Sequence, residues 1–278
     1  MLKTLAPGAI AHPCHLADAV PVAAATGFDA VWLDLPLEER PDISASREIL
    51  ARYGIRAAGF TLPVEFRKDE ATYKTGLAEL ERIAPYAEAL GMDRCITWIF
   101  PFSDTMDYGD NFSFHRRRLS DVTDILCEHG IRLGLEFIGP PSMRFGHKYE
   151  FAHTMDQMME LCQAVGPERT GLLLDVFHWD LAGHTLADFA RIPDVSWVVH
   201  AHIMDAPAGR THEQQQDAER CLPGETGVLR FADFFEGLKR LGYDGPVQPE
   251  PFTPSLGDLP FEQAAARVKA AMDSVWPG

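Results

Sequence analysis

The chain has 278 residues, of which 46% are hydrophobic and 24% charged, enough apolar content to bury a large core. Against 41 Asp+Glu it carries only 25 Lys+Arg, a net charge of −16. Such a surface repels phosphate backbones and anionic lipid, whose binding rests on Lys and Arg displacing counterions, so a small, largely neutral substrate is expected, with no nucleic-acid and no membrane partner.

At the N-terminus the apolar stretch is short and is interrupted by Pro7-Gly8, so no signal peptide is expected. No run of ~18 apolar residues suggests a membrane span. Five cysteines (Cys14, Cys95, Cys127, Cys162, Cys221) lack framework spacing, which predicts buried free thiols and a cytoplasmic location. Nothing linker-like divides the sequence, so residues 1–278 read as a single domain.

A short signature recurs along the chain: a helical stretch, a glycine, an apolar residue, then a strand. It falls at Gly27-Phe28, Gly54-Ile55, Gly91-Met92, Gly130-Ile131 and Gly242-Tyr243. Glycine after a helix adopts the left-handed conformation without a Cβ clash, and the apolar residue folds back on the last turn. Strands are expected in order at 5–10, 30–34, 57–62, 94–99, 132–137, 171–175, 197–202 and 246–250. The clearest helices between them are 70–90, 113–129, 154–165, 231–241 and 261–275. Arg116-Arg117-Arg118 reads as a solvated helix face. Near-continuous apolar strands alternating with amphipathic helices indicate a parallel sheet covered by helices. Eight such units predict an α/β fold, a (β/α)8 TIM barrel. A doubly wound sheet would show fewer units, and no G-x-G-x-x-G follows the first strand.

In such a barrel the chemistry gathers at the C-terminal ends of the strands. Strands five to eight close on Leu135-Glu136-Phe137, Leu174-Asp175, His200-Ala201-His202 and Gln248-Pro249-Glu250. Three carboxylates converging there need a cation to offset their burial. Glu136, Asp175, His202 and Glu250 form an oxygen and nitrogen set suited to one divalent ion, expected to be manganese, with magnesium, cobalt or zinc as alternatives. Taken singly, each has a plainer reading; Asp175, for instance, also suits the cap of the next helix. Convergence at equivalent positions on four strands favours the shared site. His200 points to the same side as His202 but lies one layer deeper, as a core filler or, alternatively, a hydrogen-bond donor supporting the ligands, the former being favoured.

These residues resemble a known pattern. Leu174-Asp175-Val176-Phe177-His178 is similar to the L-D-x-x-H segment of the xylose isomerase-like barrels, which include ketose 3-epimerases, inosose dehydratase-like proteins and endonuclease IV. His202-Ile203-Met204-Asp205 resembles their H-x-x-D segment, and Leu222-Pro223-Gly224-Glu225-Thr226-Gly227 their L-P-G-E-G stretch. Leu241-Gly242-Tyr243-Asp244-Gly245 and Glu250-Pro251-Phe252 match the G-Y-D-G…E-P-F ending. The resemblance implies that the four residues bind the metal and that Glu136 and Glu250 also exchange protons with substrate. It implies substrate contacts from His178 and from an arginine beyond strand seven, where Arg220 fits better than Arg210; the neighbouring Trp179 is taken as a further substrate-binding residue. Departures occur in the loops: Glu150 does not align with the family's second glutamate after Glu136, and strand two reads Trp32-Leu33-Asp34 where relatives carry an acidic residue at the Trp32 position. The roles of Arg144, His147 and Lys148 are left open.

The expected activity is a divalent-metal-dependent sugar or polyol isomerase or epimerase. A proton alpha to a carbonyl is removed, and the cation stabilises the enediolate oxygens as a Lewis acid. A dehydratase or lyase acting on a keto-sugar, inosose or dehydroshikimate-like substrate shares that first step. A non-catalytic or accessory metal-binding barrel is a further alternative. Endonuclease IV-like activity is disfavoured, because Thr61-Leu62-Pro63 and Phe100-Pro101-Phe102 lack the extra histidines it needs. Trp32, Phe60, Trp98, Phe100, Phe102, Phe137 and Trp179 are candidates for an aromatic pocket wall, with at least half expected in the core. A homo-oligomer is expected by analogy, with a hetero-oligomer as the alternative.

Overall fold

The computed structural model describes residues 1–34 and 42–278. Eight parallel strands close into a barrel, and in chain order they are Leu2–Leu5, Ala30–Asp34, Arg56–Thr61, Arg94–Ile99, Arg132–Phe137, Thr170–Asp175, Val198–Ile203 and Pro246–Pro249. Each pairs with its sequence neighbours, and the first closes the ring by pairing with the eighth. Helices cover the outside: Leu16–Thr26, Ile43–Tyr53, Glu70–Ala89, Tyr108–Glu128, Met155–Val165, Phe231–Leu241 and Phe261–Val275, with a short helix Val176–Leu181 after the sixth strand. This is the expected (β/α)8 barrel. No helix among the described residues is long and apolar enough to cross a membrane.

All five signature glycines adopt φ between +66 and +80. At the first of them the Gly27 and Phe28 N–H groups donate to the Ala24 and Ala23 carbonyls, closing the helix end as the sequence pattern requires. The first strand differs from expectation. It occupies Leu2–Leu5, and Gly8–Ile10 is a 3-10 turn. Pro7 lacks an N–H for the ladder and sits at φ −58, ψ −39, so the more apolar stretch cannot extend as a strand. The helix expected from residue 113 begins at Tyr108, where the Asp107 carboxylate accepts the Asp110 N–H at 2.9 Å.

The arginine run also needs correction. Arg116 and Arg117 are exposed, but Arg118 is buried. Its guanidinium donates to the Phe66 and Lys68 carbonyls at 2.6 Å and to Glu70 at 3.0 Å, and it stacks on Tyr73 and Phe114. It therefore ties the loop after the third strand to the helix wall. Of the five cysteines, all free, Cys95 and Cys162 are buried and the other three are half-buried.

The main core lies between strands and helices, and a second apolar cluster fills the barrel interior from Ala6, Ala30, Trp32, Ala58, Ile96 and Leu173. One large indole among small residues is possible because Gly59 stands opposite: a Cβ there would lie 2.4 Å from the Trp32 ring. Trp32 thus forms the floor on which the barrel mouth is built.

Candidate metal centre

Strands five to eight each deliver one ionisable side chain to the mouth. Asp175 lies in register with His202, and His202 with Gln248, two residues before Glu250. Glu250 directly follows the eighth strand, its N–H donating to the Ile203 carbonyl. Alternation along a strand turns Gln248 and Glu250, like His200 and His202, towards the interior. One ligand atom from each of Glu136, Asp175, His202 and Glu250 lies within 4.8 Å of the others. His202 Nδ1 is 3.3 Å from Glu250 Oε2, 3.5 Å from Glu136 Oε1 and 3.8 Å from Asp175 Oδ2. Around a cation with bonds of ~2.1 Å, neighbouring ligand atoms lie roughly 3.0–3.5 Å apart. Glu136 Oε1 and both His202 nitrogens are buried without a hydrogen-bond partner, an expensive state for polar atoms that a shared cation would relieve. The donor set therefore fits a divalent ion.

Asp175 combines the two roles that the sequence left as rivals. Its Oδ1 accepts the Phe177 and His178 N–H groups at 2.7 and 3.2 Å, capping the helix Val176–Leu181. Its Oδ2 faces His202 and Arg220. A carboxylate has lone pairs for both.

The electrostatics show the same unmet need. Burial, reinforced by Asp175 and Glu250, pushes Glu136 up to about 8. For His202, burial alone would lower the pKa, but Glu250 and Glu136 outweigh it and carry the imidazole up to about 10. For Glu250, burial alone would raise it, but His202 and Arg220 prevail and bring it down to about 2. Arg220 is buried, and Asp175, Glu250 and Asp217 hold it charged despite desolvation. It donates to Glu250 Oε2 at 2.7 Å, Asp217 Oδ1 at 2.8 Å and Asp175 Oδ2 at 3.4 Å.

The loop that carries Arg220 is organised by the motif residues. The Asp205 carboxylate accepts N–H groups from Thr226, Gly227 and Leu229 at 3.1, 2.7 and 3.1 Å. Asp205 and Cys221 exchange both backbone hydrogen bonds. Glu225 accepts the Leu222 N–H at 2.9 Å. Asp205 and the Leu222-Pro223-Gly224-Glu225 turn thus hold Arg220 in place from a distance. Arg210, the rival arginine, pairs with Glu219 at 2.5 Å and contributes nothing to this cluster.

His178 and Trp179 lie away from the cavity lining. His178 is fully buried in the helix after strand six, where Nδ1 faces the Gly139 N–H and Nε2 lies 3.2 Å from Arg220 Nη2 and 3.5 Å from Asp217 Oδ1. It stands behind Arg220 rather than on the cavity wall. Trp179 is also fully buried and packs against Phe189, Phe234 and Arg230, outside the cavity. The large apolar indole follows the helix periodicity into the outer core, not the strand direction towards the mouth. His200 is a buried core residue, as expected, its ring tilted against Trp32 with centroids 4.2 Å apart and Nε2 3.3 Å from Gln248 Oε1.

A cavity of about 400 Å³ opens above the cluster. Of the seven candidate aromatics, Trp32, Trp98 and Phe100 line it, and the other four do not. Sequence reading missed Asp217, Gln248, Asp34 and Phe252 as lining residues. Asp217 was detectable only as an acid three residues before Arg220. Phe252 adopts φ +43, unusual for a bulky residue, and stacks on Arg220 at 4.3 Å. At the lip, Arg144 donates to the Gly139 and Pro140 carbonyls, His147 pairs with Asp104 at 3.0 Å, and Glu150 is exposed in a two-stranded ribbon with Phe102–Ser103.

Comparison with known proteins places this geometry in context. The family described as xylose isomerase-like TIM barrel matches residues 20–275. An inosose isomerase from Halalkalibacterium halodurans is 28% identical over 210 residues, covering 74% of this chain and 69% of that protein. Inosose isomerases of Bacillus velezensis and Bacillus subtilis match over 52% and 51% of their lengths, so the chain spans about half of these relatives. A xylose isomerase domain protein from Alicyclobacillus acidocaldarius superposes with a TM-score of 0.86 at 27% identity, covering 99% of this chain and 98% of that one. The IOLI protein, whose structure was solved with a zinc atom bound, gives 0.82 at 19% identity over 99% and 98% of the two chains. At that identity the likeness concerns the fold alone.

Proposed function

Because the chain belongs to the xylose isomerase-like TIM barrel family, we propose that it is a divalent-metal-dependent isomerase or epimerase of a keto-sugar or inosose. The convergence of four ligand atoms within 4.8 Å, with Glu136 Oε1 and both nitrogens of His202 buried and lacking any hydrogen-bond partner, carries the reading. Glu136, Asp175, His202 and Glu250 hold the ion, for which we propose Mn²⁺, a metal suited to carboxylate-rich sites. The zinc atom named for the IOLI structure supports a divalent ion in this fold. When bound, the cation supplies Lewis-acid polarisation of the substrate carbonyl.

The side chains do the rest. Glu136 and Glu250 lie on opposite sides of His202 along the strand order and both border the cavity, so they can reach a substrate carbon from two directions. One removes the proton alpha to the carbonyl and the other returns it. Arg220, anchored by Asp217 and backed by His178, keeps Glu250 oriented and presents its guanidinium to the cavity. Trp32, Trp98 and Ile138 exclude water from that carbon.

Loading the ion displaces the proton that burial keeps on Glu136 and the one that Glu250 and Glu136 keep on His202. Apparent metal affinity is therefore expected to rise with pH, by up to ~10-fold per unit for each proton displaced, through 8 and towards 10. Calorimetry in buffers of different ionisation enthalpy should record net proton release on metal binding at neutral pH. A pH-independent affinity without proton release is incompatible with this ligand set.

The reaction is tested by incubating the metal-loaded protein with a panel of ketoses, inososes and dehydroshikimate in D₂O. Deuterium is expected at an α-carbon of one substrate class, with isomer formation and no loss of water. Elimination of water would assign a dehydratase instead, and absence of exchange throughout the panel overturns the proposed chemistry.

A further inference from the structure

Across the barrel mouth from the four-ligand cluster stands a group that the proposed chemistry does not use. Asp34 ends the second strand, which in the closed ring lies opposite the sixth, the strand that carries Asp175. Its carboxylate lines the same cavity as Glu136 and Glu250. It is set by a directional chain of hydrogen bonds. Trp32 Nε1 donates to Thr61 Oγ1 at 3.3 Å, and Thr61 Oγ1 donates its single proton to Asp34 Oδ1 at 2.9 Å. The indole can only donate and the hydroxyl has one proton, so the chain ends on an acceptor. The next partner in line must be a donor.

Two glycines make room for this arrangement. A Cβ on Gly8 would lie 2.0 Å from Asp34 Oδ2, and one on Gly59 would lie 2.4 Å from the Trp32 ring. Asp34 and Thr61 are also register partners at the ends of adjacent strands, so the pair is fixed by the sheet itself rather than by a loop. Beside it, Trp32 and Trp98 offer apolar faces to the C–H side of a ring.

Charge narrows the ligand further. Arg220 is the single cationic Lys or Arg among the described residues lining the cavity, and it is engaged by Asp175, Asp217 and Glu250. Asp34 and Asp217 supply negative charge on the same walls, while Glu136 and Glu250 are engaged by the proposed ion. A phosphate or carboxylate at the Asp34 end would meet repulsion, and no further described Lys or Arg lines the cavity to answer it.

We infer that Asp34 is a specificity-determining residue that accepts hydrogen bonds from hydroxyls on substrate carbons remote from the carbonyl, so that the substrate is an uncharged polyol ketone. The inference rests on the proposed reaction at the same cavity. Hydrogen bonds from hydroxyls to a carboxylate are short and strong, and a site built to accept them discriminates against an analogue lacking the group.

The test uses the metal-loaded full chain and myo-inositol, a cyclic polyol without a carbonyl, whose binding is independent of turnover. Asp34→Ala is expected to weaken myo-inositol binding about 10- to 100-fold with metal content unchanged, and Asp34→Asn, which keeps the shape, to weaken it less. In parallel, α-proton exchange is measured for an inosose and its deoxy analogue, which should differ in wild type and converge in Asp34→Ala. Equal myo-inositol affinity in wild type and both variants, or no binding to wild type, overturns the inference. Asp34-dependent binding without exchange of any ketone would leave the polyol site standing and remove the reaction. Exchange that ignores both Asp34 and the deoxy substitution would do the reverse.

Discussion

Glu136→Gln and Glu250→Gln are each expected to lower substrate interconversion by about 10²–10⁴-fold at saturating metal, the range for loss of a positioned proton-transfer group. The two substitutions should differ in what survives. With one carboxylate left, a proton can still be removed and returned on a single face, so washout into D₂O should persist for one substrate epimer while interconversion fails. Glu250 is held by Arg220 at 2.7 Å, whereas Glu136 Oε1 has no hydrogen-bond partner. Glutamine at 250 keeps an oxygen to accept the guanidinium but loses the charge that pairs with it. Glutamine at 136 replaces a carboxyl that burial already pushes up to about 8, so folding should change little while proton transfer on the Glu136 side stops. Interconversion at the wild-type rate in either variant would rule out the two-carboxylate scheme.

Asp175→Asn and His202→Ala are expected to weaken metal binding by more than about 100-fold, since each removes a proposed direct ligand, and losing even a supporting hydrogen bond costs 10–100-fold. Asparagine is a good helix cap, so the Phe177 and His178 N–H groups keep their acceptor and the helix Val176–Leu181 survives. The variant therefore separates the capping oxygen from the one that faces His202. His202→Ala leaves the buried Glu136 and the half-buried Glu250 without the imidazole between them. Elemental analysis after dialysis, with melting curves at several metal concentrations, reads both effects. Wild type should melt higher as metal is added, and the variants should not respond. Unaltered occupancy in both variants would sink the site.

Much of the architecture was legible because its causes are local. A glycine after five of the helices, an apolar run in each strand and an ionisable residue at the end of strands five to eight are neighbours in sequence, so they can be read without knowing what packs against what. The second, fourth and fifth strands fall where expected, as do the helices Phe231–Leu241 and Phe261–Val275. The first strand was misplaced because apolar character outweighed the missing donor at Pro7. Arg118 and Trp179 were misjudged for a related reason: a charge run suggests solvent and an aromatic near a strand end suggests a pocket. The Phe66 and Lys68 carbonyls that bury Arg118 lie about fifty residues away, and the Phe234 ring that encloses Trp179 is equally remote.

The centre divides along the same line. Strand periodicity alone placed Glu136, Asp175, His202 and Glu250 at the mouth of one barrel, because a side chain's direction on a strand follows from its position in the run. Which atoms meet there was decided by tertiary structure. Closure of the ring turns Asp175 Oδ2 towards His202 while Oδ1 caps a helix, brings Arg220 in on a loop held by Asp205, and sets Asp34 across the cavity through Thr61. Sequence carries residue type and spacing, whereas hydrogen-bond partners and buried charge depend on distances that exist only once the barrel has closed.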